Sequence, residues 1–401
     1  MARQPYLTSR LQGFGTTIFA QMSALAERTG ALNLGQGFPD TDGPSEVANA
    51  AINAIKQGAN QYPPGPGAET LRHAISEHQE RFWGVNVDAD TEVLVTAGAT
   101  EAITAALLAL CEPGDEVIAF DPTYDSYAAA VAMAGARLRP VVLRPPATNI
   151  EPGSLVDESF GFDEQELRRA FNPRTRLVLL NTPHNPTGKV FTDSELDLIA
   201  SLCVEHDVIA VTDEVYEHLV FSGNHRLLAS KPDMAQRTLT VSSGGKTFSF
   251  TGWKVGWVIG PAALVSAVRI AKQFLTFVNA APFQPAIAAG LRMGDDYFKD
   301  LQVQHRAKRD ILASKLTQAG FAVFVPAGTY FIVADITPLG LSDGIQFCLD
   351  LPERCGVVAV PAAVFYQDQR DGHNLVRFCF AKQDEVLIEA GDRLASGLGT
   401  R

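Results

Sequence analysis

From about residue 90 to residue 260 the chain alternates short β-branched, apolar runs with longer amphipathic stretches, and this alternation constrains the fold more than any other feature. Glu92–Thr96, Glu116–Phe120, Arg176–Leu180 (R-L-V-L-L), Val208–Thr212 and Thr238–Ser242 (T-L-T-V-S) read as buried strands. Glu101–Leu110, Asp163–Phe171 and Ser194–His206 read as the helices between them. Such a pattern predicts a mostly parallel sheet with helices on both faces, an α/β fold. One further strand, V-G-W-V-I-G at 255–260, is expected to return antiparallel. The long charged helix Asp296–Gln318 then leads towards a smaller domain with strands at Phe321–Val325, Ala327–Asp335, Gly356–Val360 and Leu375–Phe380.

Polar residues cluster where these strands end. Ser243–Gly256 reads S-G-G-K-T-F-S-F-T-G-W-K-V-G. An arbitrary lysine is a solvated surface charge, but Lys246 directly follows a buried strand and two glycines that permit close backbone approach. Ser243, Thr247 and Ser249 add short hydroxyls and Lys254 a second cation, a set suited to an amine nucleophile beside a phosphate-bearing cofactor. Ala97–Thr100 (A-G-A-T) joins a strand to an apolar helix whose first N–H groups are unpaired and can hold an anion. Every strand–helix unit has such a turn; its combination with Ser243 and Lys254 assigns Ala99 and Thr100 to a phosphate.

Four other positions stand out, three of them with two readings each. Asp213, in D-E-V-Y at a strand end, either caps the next helix or needs a cation partner. Tyr124 either covers the core or offers a ring for stacking. Asn185, in N-T-P-H-N-P-T-G-K, has an Asx-Pro turn as its plain reading; the Gly-Lys there is no P-loop, because the glycine spacing is absent and Val190 follows. Arg377, in the apolar run N-L-V-R-F-C-F, needs an anion, either a core aspartate or a bound carboxylate. Ala99, Tyr124, Asn185, Asp213 and Lys246 all fall at or just past the ends of different strands, where open α/β sheets place ligands.

These segments resemble the fold-type I, class I and II aminotransferases, which use pyridoxal 5′-phosphate. S-x-G-K-x-F-x-x-T-G-W-K-x-G is similar to that family's cofactor-lysine segment, and N-x-P-x-N-P-T-G, D-E-V-Y and N-x-V-R-F-C-F match further motifs in order. The resemblance covers nearly the whole chain. It implies a large domain over residues 45–292 with a mostly parallel seven-stranded sheet, and a smaller α/β domain made from 1–44 and 293–401. It implies that catalytic Lys246 carries the cofactor as a Schiff base, and that Ser243 and Lys254 contact its phosphate. Tyr124 would stack on the ring, Asp213 would keep the ring nitrogen protonated, and Asn185 and Tyr216 would reach the ring's O3′. Arg377 becomes the clamp for the substrate α-carboxylate, with Asn185 and, in N-L-G-Q-G-F-P-D, Gly37 and Phe38 around the substrate. Tyr62, in N-Q-Y-P-P-G-P-G, is expected to cross a homodimer interface to the neighbouring subunit's phosphate. The implied reaction passes an amino group from an amino acid to a 2-oxo acid such as 2-oxoglutarate by ping-pong kinetics, with Lys246 moving the α-proton.

Composition limits the alternatives. A net charge of −12 with no basic run argues against nucleic acid as a partner. No apolar run approaches 18 residues, so no membrane span is expected, and M-A-R-Q-P-Y-L-T-S-R has no signal-like apolar core. Five cysteines without a C-x-x-C predict buried free thiols and a cytoplasmic setting, and no metal-ligand spacing stands out among the eight histidines. Within the family, L-G-Q-G-F-P-D, T-G-W-K-V-G-W and V-R-F-C-F are similar to the kynurenine, glutamine and methionine aminotransferase branch. N-Q-Y-P-P-G-P-G, G-A-T-E-A-I and D-S-Y-x-x-x-V-A-M-A-G-A resemble still more the actinobacterial N-succinyldiaminopimelate aminotransferases of lysine biosynthesis. Thr100 and Asn279 stand where the kynurenine enzymes carry rings, which implies room for a longer, polar side chain. The alternatives are a broader aromatic or sulfur amino-acid transaminase, with possible cysteine-conjugate β-lyase activity, and a cofactor-binding regulator. The latter lacks the spare length and basic helix of a DNA-binding domain.

Overall fold

The computed structural model describes residues 6–146 and 150–399. Residues 1–5, on which part of the N-terminal reading rests, lie outside the described residues.

Seven strands form the larger sheet: β1 (Val93–Thr96), β2 (Glu116–Asp121), β3 (Arg137–Val142), β4 (Thr175–Asn181), β5 (Ile209–Asp213), β6 (Thr238–Ser243) and β7 (Gly256–Ile259). Their order across the sheet is β1-β7-β6-β5-β4-β2-β3. β7 runs antiparallel to both its neighbours, β1 and β6, as its sequence predicts; the other pairings are parallel. Strand alternation splits the apolar runs between two cores. Val117, Ala119, Leu179 and Val211 pack under the helix Gly98–Leu110 on one face. Ile118, Phe120, Val178, Leu180 and Ala210 pack against the helix Asp193–Glu205 on the other. Both faces are therefore covered, which is why these strands read as near-continuous apolar runs.

β3 was not legible as a strand. Its sequence, R-L-R-P-V-V, is exposed or half-exposed over the first four residues, and it forms the edge of the sheet. Pro140 has no N–H to donate, and an edge position tolerates that loss.

The second sheet holds β8 (Ala322–Phe324), β9 (Phe331–Asp335), β10 (Val360–Pro361) and β11 (Leu375–Cys379) in the order β10-β11-β9-β8, all antiparallel. Leu155–Val156 pairs parallel with β8 at its edge. Although that stretch falls within 45–292, it joins the second sheet. Leu32–Asn33 pairs parallel with Val357–Val358 and fastens the N-terminal segment to this part of the molecule. The long helix, Asp295–Gln318, buries Leu312, Ala313 and Leu316 against Leu387, Ala390 and Leu394 of the last helix. All five cysteines are free and buried. Cys111 and Cys203 sit in the cores of the larger sheet, and Cys348, Cys355 and Cys379 in the core of the second.

Candidate active site

A cavity of about 340 Å³ opens where the larger sheet's strand ends meet the second sheet and the N-terminal segment. Gly98–Thr100 enter it after β1, Tyr124 after β2, Asn181 and Asn185 after β4, Asp213 and Tyr216 from β5, and Ser243 and Lys246 from β6. The second sheet contributes Phe331 and Arg377, and the N-terminal segment Gln36 and Gly37.

Lys246 lies in a single helical turn, Gly244–Thr247, that starts directly from the end of β6. Gly244 is required there because a Cβ would come within 2.7 Å of Ile287 Cδ1. The amine opens to the cavity but is otherwise enclosed by protein. Burial lowers its pKa to about 8, with the cations Lys254 and Arg377 pushing the same way and Asp213 opposing. Its Nζ donates to Tyr330 Oη at 2.8 Å.

Asp213 closes β5 and is buried, and that burial raises its carboxyl to about 6. Tyr127 Oη donates to its Oδ2 at 2.6 Å, and the Val215 N–H approaches Oδ1 at 3.4 Å. It is not a helix cap: Thr-Asp at this strand end is followed by turns, with no helix starting at residue 214. The Tyr124 ring stands edge-on to Tyr127 at 5.8 Å, so the two tyrosines and Asp213 form one packed unit on the cavity wall.

Arg377 comes from the centre of β11 and is 1% exposed. Its guanidinium donates to Asn185 Oδ1 at 3.0 Å and to the Gly35 carbonyl at 2.9 Å, while Nε has no partner. The rings of Phe331, Phe365 and Phe19 surround it at 4.1, 4.9 and 5.1 Å. Among the described residues no carboxylate lies within ion-pair distance, so the core-aspartate alternative fails. A buried cation bonded only to neutral oxygens beside a cavity is an anion site.

The opposite end of the cavity suits a phosphate. The first turn of the helix Gly98–Leu110 has no side-chain cap, so its leading N–H groups remain available. Ser243 lines the same end. Lys254 holds a left-handed φ of 52° and brings its Nζ to 3.0 Å from where a Cβ on Gly98 would stand. Gly256 is equally constrained, because a Cβ there would come within 2.7 Å of the Ala99 nitrogen. Bare backbone at both positions lets cation, strand and helix start converge.

Three expected residues lie outside this cavity within the single chain. Tyr62 is 82% exposed and meets Phe277 edge-on at 5.5 Å. Phe38 is half-exposed and turns to Lys382, whose ammonium lies 4.6 Å from its ring. Asn279 donates to the carbonyls of Thr96 and Lys254 at 3.1 and 3.3 Å, so its side chain is spent on its own chain's backbone. Sequence reasoning missed Tyr127 and Tyr330. Tyr127 follows Tyr124 by three residues, one helical turn away, which is a usable signal; Tyr330 precedes β9 in A-G-T-Y-F and has none.

The fold also gathers a buried set that no sequence spacing reveals: His78, Glu217 and His218, with ligand atoms within 4.8 Å of one another. These atoms are already engaged. The two Nε2 atoms lie 2.7 Å apart, and Glu217 accepts from Ser242 Oγ at 2.6 Å and Trp83 Nε1 at 2.7 Å.

The family model "Aminotransferase class I and II" matches residues 29–394. The chain is 51% identical over 396 residues, 96% of its length and 97% of the relative's, to a probable N-succinyldiaminopimelate aminotransferase, DapC, of Mycobacterium tuberculosis. The solved structure of N-succinyldiaminopimelate aminotransferase from that organism superposes with a TM-score of 0.93, covering 97% of this chain and 99% of that one. A methionine aminotransferase of Escherichia coli is 42% identical over 387 residues, 96% of this chain and 97% of the relative. The chain belongs to the class I and II aminotransferases, in their fold-type I form. Its cofactor is pyridoxal 5′-phosphate. The cavity has the groups that this molecule needs: an amine of lowered pKa, a buried carboxylate that forms no salt bridge among the described residues, and an uncapped helix start beside a lysine.

Proposed function

We propose that the protein transfers the amino group of N-succinyl-LL-2,6-diaminopimelate to 2-oxoglutarate, or runs that reaction in reverse from glutamate. The observation that carries the reading is Arg377, a buried guanidinium without an ion-pair partner among the described residues, facing a cavity that also presents Lys246. The similarity to the Mycobacterium tuberculosis enzyme supports the succinylated substrate, and Thr100, a short side chain on the cavity wall, leaves room for it.

The residues divide the work by charge. Ala99 and Thr100 N–H groups, Ser243 and Lys254 hold the cofactor's phosphate, and Tyr124 covers its ring. Asp213 holds a proton on the ring nitrogen, with Tyr127 keeping the carboxylate ionised and aimed. Asn185 and Tyr216 face the ring oxygen. When bound, the cofactor supplies an aldehyde that accepts the amino group and a ring that takes up electron density as the α-proton leaves. Arg377 fixes the substrate α-carboxylate by two parallel hydrogen bonds, aided by Asn185 and Gly37. Lys246, neutral in useful amounts because its pKa lies at about 8, takes the α-proton and returns it.

A homodimer completes this reading. Tyr62 is exposed beside Phe277, and Phe274 is 81% exposed nearby in sequence, an apolar surface that suits a second copy. Tyr62 then reaches the neighbour's phosphate, and Phe38 borders the substrate. We take 45–292 as the large domain, and 1–44 with 293–401 as the small one.

The test is a half-reaction on the purified enzyme. The change in cofactor absorbance is followed after adding N-succinyl-LL-diaminopimelate, glutamate, kynurenine or methionine separately. Fast conversion by the first two, and not by kynurenine, is expected. Fast conversion by methionine or kynurenine alone would assign the enzyme to the broader branch, for which the 42% identity to a methionine aminotransferase speaks. Lys246→Ala must abolish turnover; a variant that still cycles would overturn the assignment of the α-proton to this amine.

A further inference from the structure

We propose that Tyr330 is a positioning residue that aims the amine of Lys246 for proton transfer, an inference that rests on the role given to Lys246 above. Tyr330 is 0% exposed and stands just before β9, in the second sheet, whereas Lys246 follows β6 of the larger sheet. Its hydroxyl donates to the Gly37 carbonyl at 2.6 Å and accepts from Lys246 Nζ at 2.8 Å. A phenol has a single proton. With that proton committed to Gly37, the oxygen can only accept from Lys246. Burial raises the pKa of the phenol well above its ordinary value, so the proton stays. Tyr330 therefore neither gives a proton to Lys246 nor takes one from it; it fixes direction.

The consequence is geometric. A lysine amine rotates freely about its last bonds, and its lone pair points at the α-carbon only part of the time. One N–H anchored on Tyr330 Oη leaves the lone pair restricted to the remaining tetrahedral directions. The anchor is itself held. The Tyr330 ring is met edge-on by Tyr216 at 5.1 Å and by Phe331 at 4.8 Å. The residue before it, Thr329, holds a left-handed φ of 68°, an outlier for a β-branched side chain. The Thr329 N–H donates to the Leu219 carbonyl at 2.9 Å, and Gly328 bridges Val220. Backbone strain of this kind is retained where the surrounding structure over-determines a side chain's position, and here the side chain delivered is Tyr330. The same hydroxyl links Lys246 to the loop that holds Gly37, so the amine is aimed only when that loop is seated.

The test compares wild-type and Tyr330→Phe holoenzymes in the half-reaction with glutamate, protiated or deuterated at the α-carbon. Loss of aim is expected to lower the maximal rate about tenfold or more while the concentration for half-maximal rate changes less than about twofold. The deuterium effect on the rate should grow, because proton transfer becomes more limiting. A second readout needs no turnover. The visible absorbance of the bound cofactor titrates with the Lys246 nitrogen, and removing an acceptor from that nitrogen should move the midpoint to lower pH. A rate within about twofold of wild type, or a slower rate with an unchanged deuterium effect and an unmoved midpoint, would overturn the proposal. The phenylalanine ring preserves the packing. If that variant fails to hold the cofactor, Tyr330→Leu, which also lacks an acceptor, is measured instead, with the same outcomes deciding. Failure of the underlying reading shows separately, as turnover by Lys246→Ala.

Discussion

Replacing Tyr127 by phenylalanine removes one oxygen and leaves its ring against Tyr124. That oxygen supplies the short hydrogen bond to Asp213 Oδ2, at 2.6 Å; the other donor, the Val215 N–H, is distant at 3.4 Å. A hydrogen bond to a buried charge is worth about 1.5–3 kcal/mol. At 1.36 kcal/mol per pKa unit this raises the Asp213 carboxyl by about one to two units. Burial already holds it at about 6, so the variant's carboxyl would titrate near neutrality. A bound pyridinium needs the ionised carboxylate, so affinity falls with the un-ionised fraction. The variant should bind pyridoxal phosphate about tenfold more weakly than wild type near pH 6.5, and about equally near pH 9. Titrations of the cofactor-free proteins with pyridoxal phosphate across this range, followed by absorbance, give the ratio directly, and the free cofactor's own ionisations cancel in it. A ratio that stays at one, or that is large but independent of pH, would refute the reasoning, since the latter describes lost packing rather than a shifted carboxyl.

Two further outcomes follow from the same site. Arg377→Lys keeps the positive charge but loses the planar fork, so the concentration of glutamate for half-maximal rate should rise about 100-fold with cofactor absorbance retained; loss of cofactor instead would show that Arg377 supports the fold of the site. In the cofactor-free enzyme, Lys246 should be acylated fastest of the lysines at pH 8, because burial brings its pKa down to about 8 and the neutral form grows as pH rises through that value. Mass-spectrometric mapping checks this, and reactivity still climbing towards pH 10 would contradict it.

What the sequence disclosed follows from the physics of two-sided burial. Strands covered on both faces carry apolar or small, β-branched residues at nearly every position, so β1, β2, β4, β5 and β6 were readable within a residue or two. β3 was not, because an edge strand has one solvated side and carries arginines and a proline. The larger site residues were legible because polar groups immediately after apolar strands need a reason to be there, as Asp213 and Lys246 illustrate. Tyr127 and Tyr330 were hidden for a different reason. Their value lies in partners 86 and 84 residues away, Asp213 and Lys246, and tyrosine is unremarkable in either local setting. The same distance effect hid the pairing of His78 with His218 across 140 residues. The short strand at Leu155–Val156 exists only because β8 offers an edge to it.

The five interior thiols give the enzyme a built-in clock. Burial raises the Cys111 and Cys203 thiols to about 12, so almost no thiolate is present in the folded protein near neutrality. An alkylating reagent must then wait for the structure to open. Because Cys111 and Cys203 lie in the two cores that flank the larger sheet, and Cys348, Cys355 and Cys379 in the core of the second, alkylation mapped by peptide would time the loosening of each half separately. Common rates would mark a single cooperative unit, and unequal rates would identify the half that gives way first.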